Sequence, residues 1–255
     1  MKPLAVAVEA ALAGGRVLRS FFEGSFRVSF KGEVDLVTEA DLASERQVIS
    51  ILSQRFPDAS ILAEEAGERR GTGTGRRFIV DPLDGTTNFA HGYPTFAVSI
   101  GYEEEGRVVA GCVYDPVREE LFTAEKGRGA FLNGRRLHVS TTESLDRALL
   151  VTGFPYDFKV DLEKSTRLFL RFMAKSRAVR RDGSAALDLC YVAAGRIDGF
   201  WEEKLSPWDT AAGAFLVEEA GGTVTDFRGS LYHCSQPAVV ASNGRLHAEM
   251  LSVVA

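Results

Sequence analysis

Soft-metal ligands and covalent staples are scarce in this chain. Its 255 residues include three cysteines, Cys112, Cys190 and Cys234, far apart and without Cys-x-x-Cys spacing. That excludes a disulfide scaffold and a zinc ribbon and fits a reducing, cytoplasmic setting. The four histidines, His91, His138, His233 and His247, are equally scattered and form no His-x-x-x-His pair. No apolar run approaches the length of a membrane span, so no membrane partner is expected. The opening MKPLAVAVEAALAGGRVLRSFF contains a short apolar run, but Glu9 interrupts it and helical spacing continues through it. It reads as an amphipathic first helix rather than a secretory leader. An excess of positive charge is missing too: the net charge is −5, and the pairs Arg76-Arg77, Arg135-Arg136 and Arg180-Arg181 never lengthen into a run. Nucleic-acid binding therefore has no electrostatic support. The glycine-rich GERRGTGTG at 67–75 lacks the Gly-Lys-Ser/Thr ending of a phosphate loop and is assigned no role.

What is present suffices for one large domain made of two joined sub-lobes, about 1–145 and 146–255. Pro3 suits a first helical turn, and Val6, Leu12, Leu18 and Phe22 form a helical stripe ending near Gly24. Thr38 followed three residues on by Asp41 reads as a capping box. Leu42, Ile49, Leu52 and Phe56 then supply the apolar face of a second helix. A short strand at 60–63 runs into Glu64-Glu65. Residues 96–139 read as successive antiparallel strands, with Asn133-Gly134 as a two-residue hairpin turn. Beyond about 145, strand-like pieces (148–152, 178–181, 197–201, 223–225, 238–241) alternate with helical ones (162–174, 185–194, 210–220, 246–253). This predicts an antiparallel-rich sheet first, then helices layered on a second sheet.

Six carboxylates fall at element boundaries: Asp41, Glu64, Glu65, Asp81, Asp84 and Asp209. Each alone has an ordinary reading, as a helix cap for Asp41 or Asp209 and as a turn residue for Asp84. Together, oxygen ligands without Cys or His suit a hard cation such as Mg²⁺. The alternating acids of an EF-hand loop are absent. In FIVDPLDGTTNF, Pro82 fixes the chain between two acids, which lets Asp81, Asp84 and the Leu83 carbonyl aim at one point. Gly85-Thr86-Thr87 then offers backbone N–H groups to an anion. Acids for metal beside donors for phosphate predict metal-assisted phosphoryl chemistry. A haloacid-dehalogenase site is excluded, because the acids are three apart and Pro follows the first. Direct attack by water is expected instead of a phospho-enzyme.

The segments VDLVTEAD, AEE, DPLDGTTNFAHGYPTFAVSIG, GSAALDL and PWDTAAGAFLVEEAGG, in this order over nearly the whole chain, resemble the inositol monophosphatase family of magnesium-dependent, lithium-sensitive phosphatases. The resemblance implies a layered αβαβα sandwich, a homodimer, and two to three Mg²⁺ held by Glu64, Asp81, the Leu83 carbonyl, Asp84 and Asp209. It implies that Thr86, paired with Asp41, orients and deprotonates the attacking water, with Glu64 also catalytic through its metal. It further implies substrate contacts from Gly85, Thr86, Gly183, Ser184, Ala185 and Glu202, and a mobile loop carrying Lys31. Ser184 stands where many relatives have Thr, which keeps the hydroxyl. The implied reaction is hydrolysis of a small phosphate monoester, myo-inositol 1-phosphate. Two alternatives stay open: a fructose-1,6-bisphosphatase or dual-substrate enzyme of this fold, and a non-catalytic, macromolecule-binding protein built on it.

Overall fold

A computed structural model describes residues 2–22, 24, 28–30, 36–155 and 158–255 of the chain. Lys31 lies outside the described residues. The chain opens with α1 (Pro3–Phe22), a short hairpin of β1 (Val28–Phe30) and β2 (Leu36–Thr38), and α2 (Glu39–Arg55). Eight strands follow: β3 (Ser60–Ala63), β4 (Gly67–Arg69), β5 (Arg76–Asp84), β6 (Ala97–Glu104), β7 (Arg107–Asp115), β8 (Glu120–Glu125), β9 (Gly129–Leu132) and β10 (Arg135–Arg136). They form one sheet in the order β10-β9-β8-β7-β6-β5-β3-β4, antiparallel except for β3 beside β5. A one-turn helix, α3 (Thr86–Ala90), leaves the end of β5.

The remaining elements are β11 (Leu149–Thr152), α4 (Leu162–Lys175), β12 (Ala178–Arg180), α5 (Ala185–Ala193), β13 (Gly199–Glu203), α6 (Pro207–Glu219), β14 (Thr223–Thr225), β15 (Ala238–Ser242) and α7 (His247–Val254). Their strands make a mixed five-stranded sheet, β12-β11-β13-β15-β14. Helices α1 and α2 cover one face of the first sheet, α5 and α6 lie between the sheets, and α4 and α7 cover the outer face of the second. The result is an αβαβα sandwich. Both faces of the second sheet are dry, so its strands alternate between two cores rather than between core and water. On β13, Phe200 joins the core around α5 and α6, while Trp201 stacks on Phe172 of α4 with ring centroids 3.8 Å apart. Helix α6, buried on opposite sides, is apolar nearly all round. No described helix is long and apolar enough to cross a membrane. The three cysteines are free and buried.

Two local expectations need correction. The expected stripe of α2 is inward only in part: Leu52 is buried and Ile49 and Phe56 pack against the core, but Leu42 is 41% exposed, and the buried face is completed by Ala40, Asp41, Ser44, Glu45 and Val48. Its polar members tie the helix to the strand ends. Ser44 Oγ donates to the Pro82 carbonyl at 2.9 Å, and Glu45 accepts from the amides of Glu65 and Ala66 at 2.9 and 3.2 Å. Nor is Asp-Pro-Leu-Asp a turn after a strand. β5 continues through it, and Asp81 pairs with Ser99 while Asp84 pairs with Ala97. Three steps on β5 thus face two on β6, a bulge in which Pro82 has no ladder donor to lose.

α6 reaches the first sheet closely because β6 and β7 present glycine to it. A Cβ at Gly111 would lie 3.1 Å from Ala212 Cα, and one at Gly101 only 2.9 Å from Ala211 Cβ. Gly111→Val is expected to push α6 outward and destabilise the fold by about 1–3 kcal/mol, the usual cost of overpacking. Asp209 rides on the same helix, so turnover should fall as well. Urea unfolding and steady-state rates on the variant check both effects.

Candidate active site

The bulge, the N-termini of α3, α5 and α6, and the first turn of α2 meet at one place. Asp81 sits at its base, 2% exposed, and its Oδ1 accepts from the Leu83 amide at 3.0 Å. Asp84, 8% exposed, is held across 100 residues of chain: the Ser184 hydroxyl and the Ala186 amide (2.8 Å) both donate to its Oδ2. Ser184 is the N-cap of α5 and so anchors helix and acid together. Asp209 is the third residue of α6, where its Oδ2 accepts from the Ser206 amide at 2.7 Å in a capping box. Carboxylate oxygens of Asp81, Asp84 and Asp209 lie within 4.8 Å of one another. Glu64, just past β3, adds its charge to Asp81 and Asp209.

Such a cluster is unfavourable by itself. Burial pushes Asp81 well above the ordinary carboxylate range, and the charges of Glu64, Asp84 and Asp209 push it further. Burial raises Asp209 likewise, reinforced by Asp84. Asp84 is pushed up to about 6 by burial, against the pull of the Ser184 hydrogen bond. Three hard oxygen donors that repel one another fit a divalent cation such as Mg²⁺, because positive charge is what lets them ionise together. A second group, Glu103, His233 and Cys234, is as close-set but does not fit a metal. Glu103 is paired with Arg77 at 2.9 Å, and both ring nitrogens of His233 are engaged, with the Gly106 carbonyl and with Ser235.

Thr86 and Asp41 form the second part. Asp41 Oδ2 accepts from the amide and hydroxyl of Thr38, closing the expected capping box on α2. Its Oδ1 lies 3.1 Å from Thr86 Oγ1, which is also 3.0 Å from the Leu83 carbonyl oxygen. Asp41 is therefore both cap and partner of Thr86. Burial raises its pKa, and the Thr38 hydrogen bonds oppose the shift. Gly85, at φ 96°, takes the left-handed conformation that lets the chain turn from β5 into α3, and a Cβ there would meet the Thr95 carbonyl at 2.9 Å. Asn88 on α3 donates to the carbonyls of Thr95 (2.8 Å) and Asp182 (2.7 Å), binding the bulge to the Gly183-Ser184 segment.

Asp84, Gly85, Thr86, Gly183, Ser184, Ala185, Glu202 and Asp209 all border one cleft of about 400 Å³. Asp81 and Asp41 are not on its wall. Glu202, on β13, is buried with its carboxylate over Gly153, where a Cβ would collide with it. Burial pushes Glu202 up to about 8, Arg181 opposes this and Asp84 adds to it. Between the unperturbed 4.5 and about 8, the folded chain keeps a proton that the unfolded chain has released. Stability therefore falls as pH rises through that window. In metal-free protein, Glu202→Gln should flatten this decline. Melting temperatures of both proteins at about pH 5 and about pH 9 check it, with the larger loss expected in the wild type.

The cleft has walls that sequence reasoning did not assign: Gly153, Phe154, Phe158, Lys159, Arg181 and Asp188. Asp188 carried a readable signal, since it stands four residues after Ser184 and so on the same side of α5. Gly153 and Phe154 carried none, because they reach the site only through the pairing of β11 with β13.

The pattern of the Inositol monophosphatase family matches residues 2–255. The chain belongs to the inositol monophosphatase family. It is 46% identical to the Nus factor SuhB of Pseudomonas aeruginosa, over 100% of this chain and 96% of that one. It is 45% identical to the inositol-1-monophosphatase of Synechocystis, over 99% of this chain and 88% of that one. Among solved structures, the extragenic suppressor protein suhB of Bartonella henselae superposes with a TM-score of 0.93 at 43% identity, covering 98% of this chain and 97% of the other. The inositol monophosphatase of Anabaena gives 0.89 at 42% identity, covering 98% and 94%. The inositol monophosphatase fold therefore extends over essentially the whole chain, and family membership supports a phosphatase acting on small phosphate esters.

Proposed function

We propose that this chain is a Mg²⁺-dependent phosphomonoesterase that hydrolyses inositol monophosphate, myo-inositol 1-phosphate in particular. The observation that carries the reading is the convergence of Asp81, Asp84 and Asp209 within 4.8 Å beside the hydrogen-bonded Thr86–Asp41 pair. Glu64, Asp81, the Leu83 carbonyl, Asp84 and Asp209 are the groups that would hold the cation. Mg²⁺ bound there supplies Lewis-acid stabilisation of phosphoryl charge and acidifies water. The rest falls to the chain. Thr86 Oγ1 can give its proton to Asp41 while it accepts one from the attacking water. The amides of Gly85 and Thr86 would position the phosphate. Ser184 and the α5 N-terminus hold Asp84 in its rotamer, and Glu202 would accept from a hydroxyl at the far end of the substrate.

A second reading has specific support. Lys159 and Arg181 line the same cleft and offer positive charge to a second phosphate, which favours fructose 1,6-bisphosphate as an additional substrate. Relatives named Nus factor bring in a third role, macromolecule binding on this fold. Phosphate release from a panel of monoesters and bisphosphates, with Mg²⁺ and with chelator, separates them. Inositol 1-phosphate should show the highest kcat/KM. Preference for the bisphosphate would favour the second reading. No release from any ester would leave only the binding role.

A further inference from the structure

Helix α6 borders a second groove with the side that carries Ala211, Ala214, Phe215 and Glu218, residues three and four apart. The hairpin between β6 and β7 and the segment 231–234 enclose it to about 390 Å³, and none of its residues lines the active-site cleft. Its walls are held in place. His233 Nε2 donates to the Gly106 carbonyl at 2.8 Å, tying the segment to the hairpin. Glu219 accepts the amides of Gly127 and Gly129, at 2.9 and 2.8 Å, in the turn after β8. The Tyr232 hydroxyl lies 2.9 Å from Thr210 Oγ1, and Thr210, fully buried, follows Asp209 in the chain. Tyr232 thus borders the groove and also bonds to the neighbour of Asp209.

The groove leaves charge of both signs unpaired. Arg107 and Lys126 reach it from strand ends and Glu218 from α6, and all three are exposed. None of these side chains has an ion pair or a hydrogen bond among the described residues. The rest of the lining includes the buried Phe215 and Leu231, a large apolar side chain left 73% exposed. An apolar lining with a few placed polar groups is the usual form of a small-molecule site. Opposite charges that share a groove without meeting suit a ligand that carries both, as the carboxylate and ammonium of an amino acid do.

We propose that this groove is a regulatory site for a free amino acid with a large apolar side chain, its carboxylate on Arg107 and Lys126, its ammonium on Glu218, and its side chain against Phe215, Tyr232 and Leu231. Occupancy is felt at the active site through Tyr232 and Thr210, which lead to Asp209. The binding site stands apart from the phosphatase reading above. The regulatory link rests on that reading, because it ends at the cation proposed there. By linkage, a ligand that alters cation affinity is itself bound more or less tightly, by the same factor, when the cation is present.

Titration calorimetry with L-phenylalanine as the probe tests the site. Phenylalaninamide lacks the carboxylate, 3-phenylpropionate lacks the ammonium and glycine lacks the side chain, so each should bind about tenfold or more weakly than phenylalanine. Arg107→Ala with Lys126→Ala should weaken phenylalanine by a similar factor and phenylalaninamide no further, while Glu218→Gln should weaken phenylalanine but not 3-phenylpropionate. These three residues are exposed, so their replacement costs little stability. No binding of phenylalanine to wild type, or variants that bind all four compounds as wild type does, would overturn the proposal. The link is read by repeating the phenylalanine titration in Mg²⁺ and in chelator. The two dissociation constants should differ about fivefold or more in wild type and agree in Tyr232→Phe, which keeps the ring and loses the bond to Thr210. Equal constants in a wild type that takes up Mg²⁺ would overturn the regulatory link. A wild type that gives no heat with Mg²⁺ itself would overturn the cation reading and the link together.

Discussion

Asp84→Asn should lower turnover on the order of 10³-fold or more while raising the melting temperature of metal-free protein. The two halves share one cause. Asp84 shares a buried space with Asp81 and Asp209, and it is pushed up to about 6. An acid whose pKa is raised by folding loses stability as pH rises from its unfolded value through its folded one. Above that window the charge of Asp84 is a burden on the metal-free fold. Asparagine keeps the shape, and its carbonyl oxygen can still accept from the Ser184 hydroxyl and the Ala186 amide. It removes charge from the proposed cation site, however, and the several kcal/mol of transition-state stabilisation a bound cation would supply correspond to the stated loss. Calorimetry in chelator near neutral pH and phosphate release in Mg²⁺ read the two effects separately. A less stable but active variant would mean that the acids are a structural network rather than a cation site.

Asp41→Asn is the second large effect, and here the geometry separates two roles that the sequence left joined. Oδ2 of Asp41 caps Thr38, and Oδ1 faces Thr86 Oγ1. In the variant, the amide oxygen can keep the Thr38 bonds, which puts the amide NH₂ toward Thr86. A donor there cannot take the proton that, in the proposed mechanism, Thr86 would release in order to accept one from water. Turnover should fall about 10²–10⁴-fold, the range for loss of general-base assistance. Stability should change little, since Asn and Asp are comparable at helix N-termini. Thr86→Ala should match it, and the double variant should cost little more than either alone, as expected for residues acting as a unit. Additive losses would separate the two residues into independent roles.

Much of the architecture was legible because it rests on local chemistry. The capping box at Thr38, the Asn133-Gly134 hairpin and the strand at Ser60–Ala63 each depend on a few neighbouring residues. The meeting of Asp81, Asp84 and Asp209 became readable only with a family pattern, since Asp209 arrives on a helix far along the chain. The buried face of α2 was only partly legible because polar side chains share it: Ser44 and Glu45 satisfy backbone groups of Pro82, Glu65 and Ala66, which no hydrophobic period can report. The bulge at 81–84 was hidden for a related reason, since Pro and Asp are turn residues by composition and the continuing pairing with β6 is a tertiary fact. Gly153 meets Glu202 only through the pairing of β11 with β13, so its place in the chain said nothing about the cleft, whereas the spacing of Asp188 from Ser184 on α5 was there to be read.

Phosphate release from inositol 1-phosphate by the purified chain, followed as Mg²⁺ is added to chelator-treated enzyme, tests the central claim most directly. The expected result is negligible release without the ion, a saturable rise with it, and no rise for folded Asp84→Asn. Release that is indifferent to chelator, or a folded Asp84→Asn protein that turns over like wild type, would contradict it.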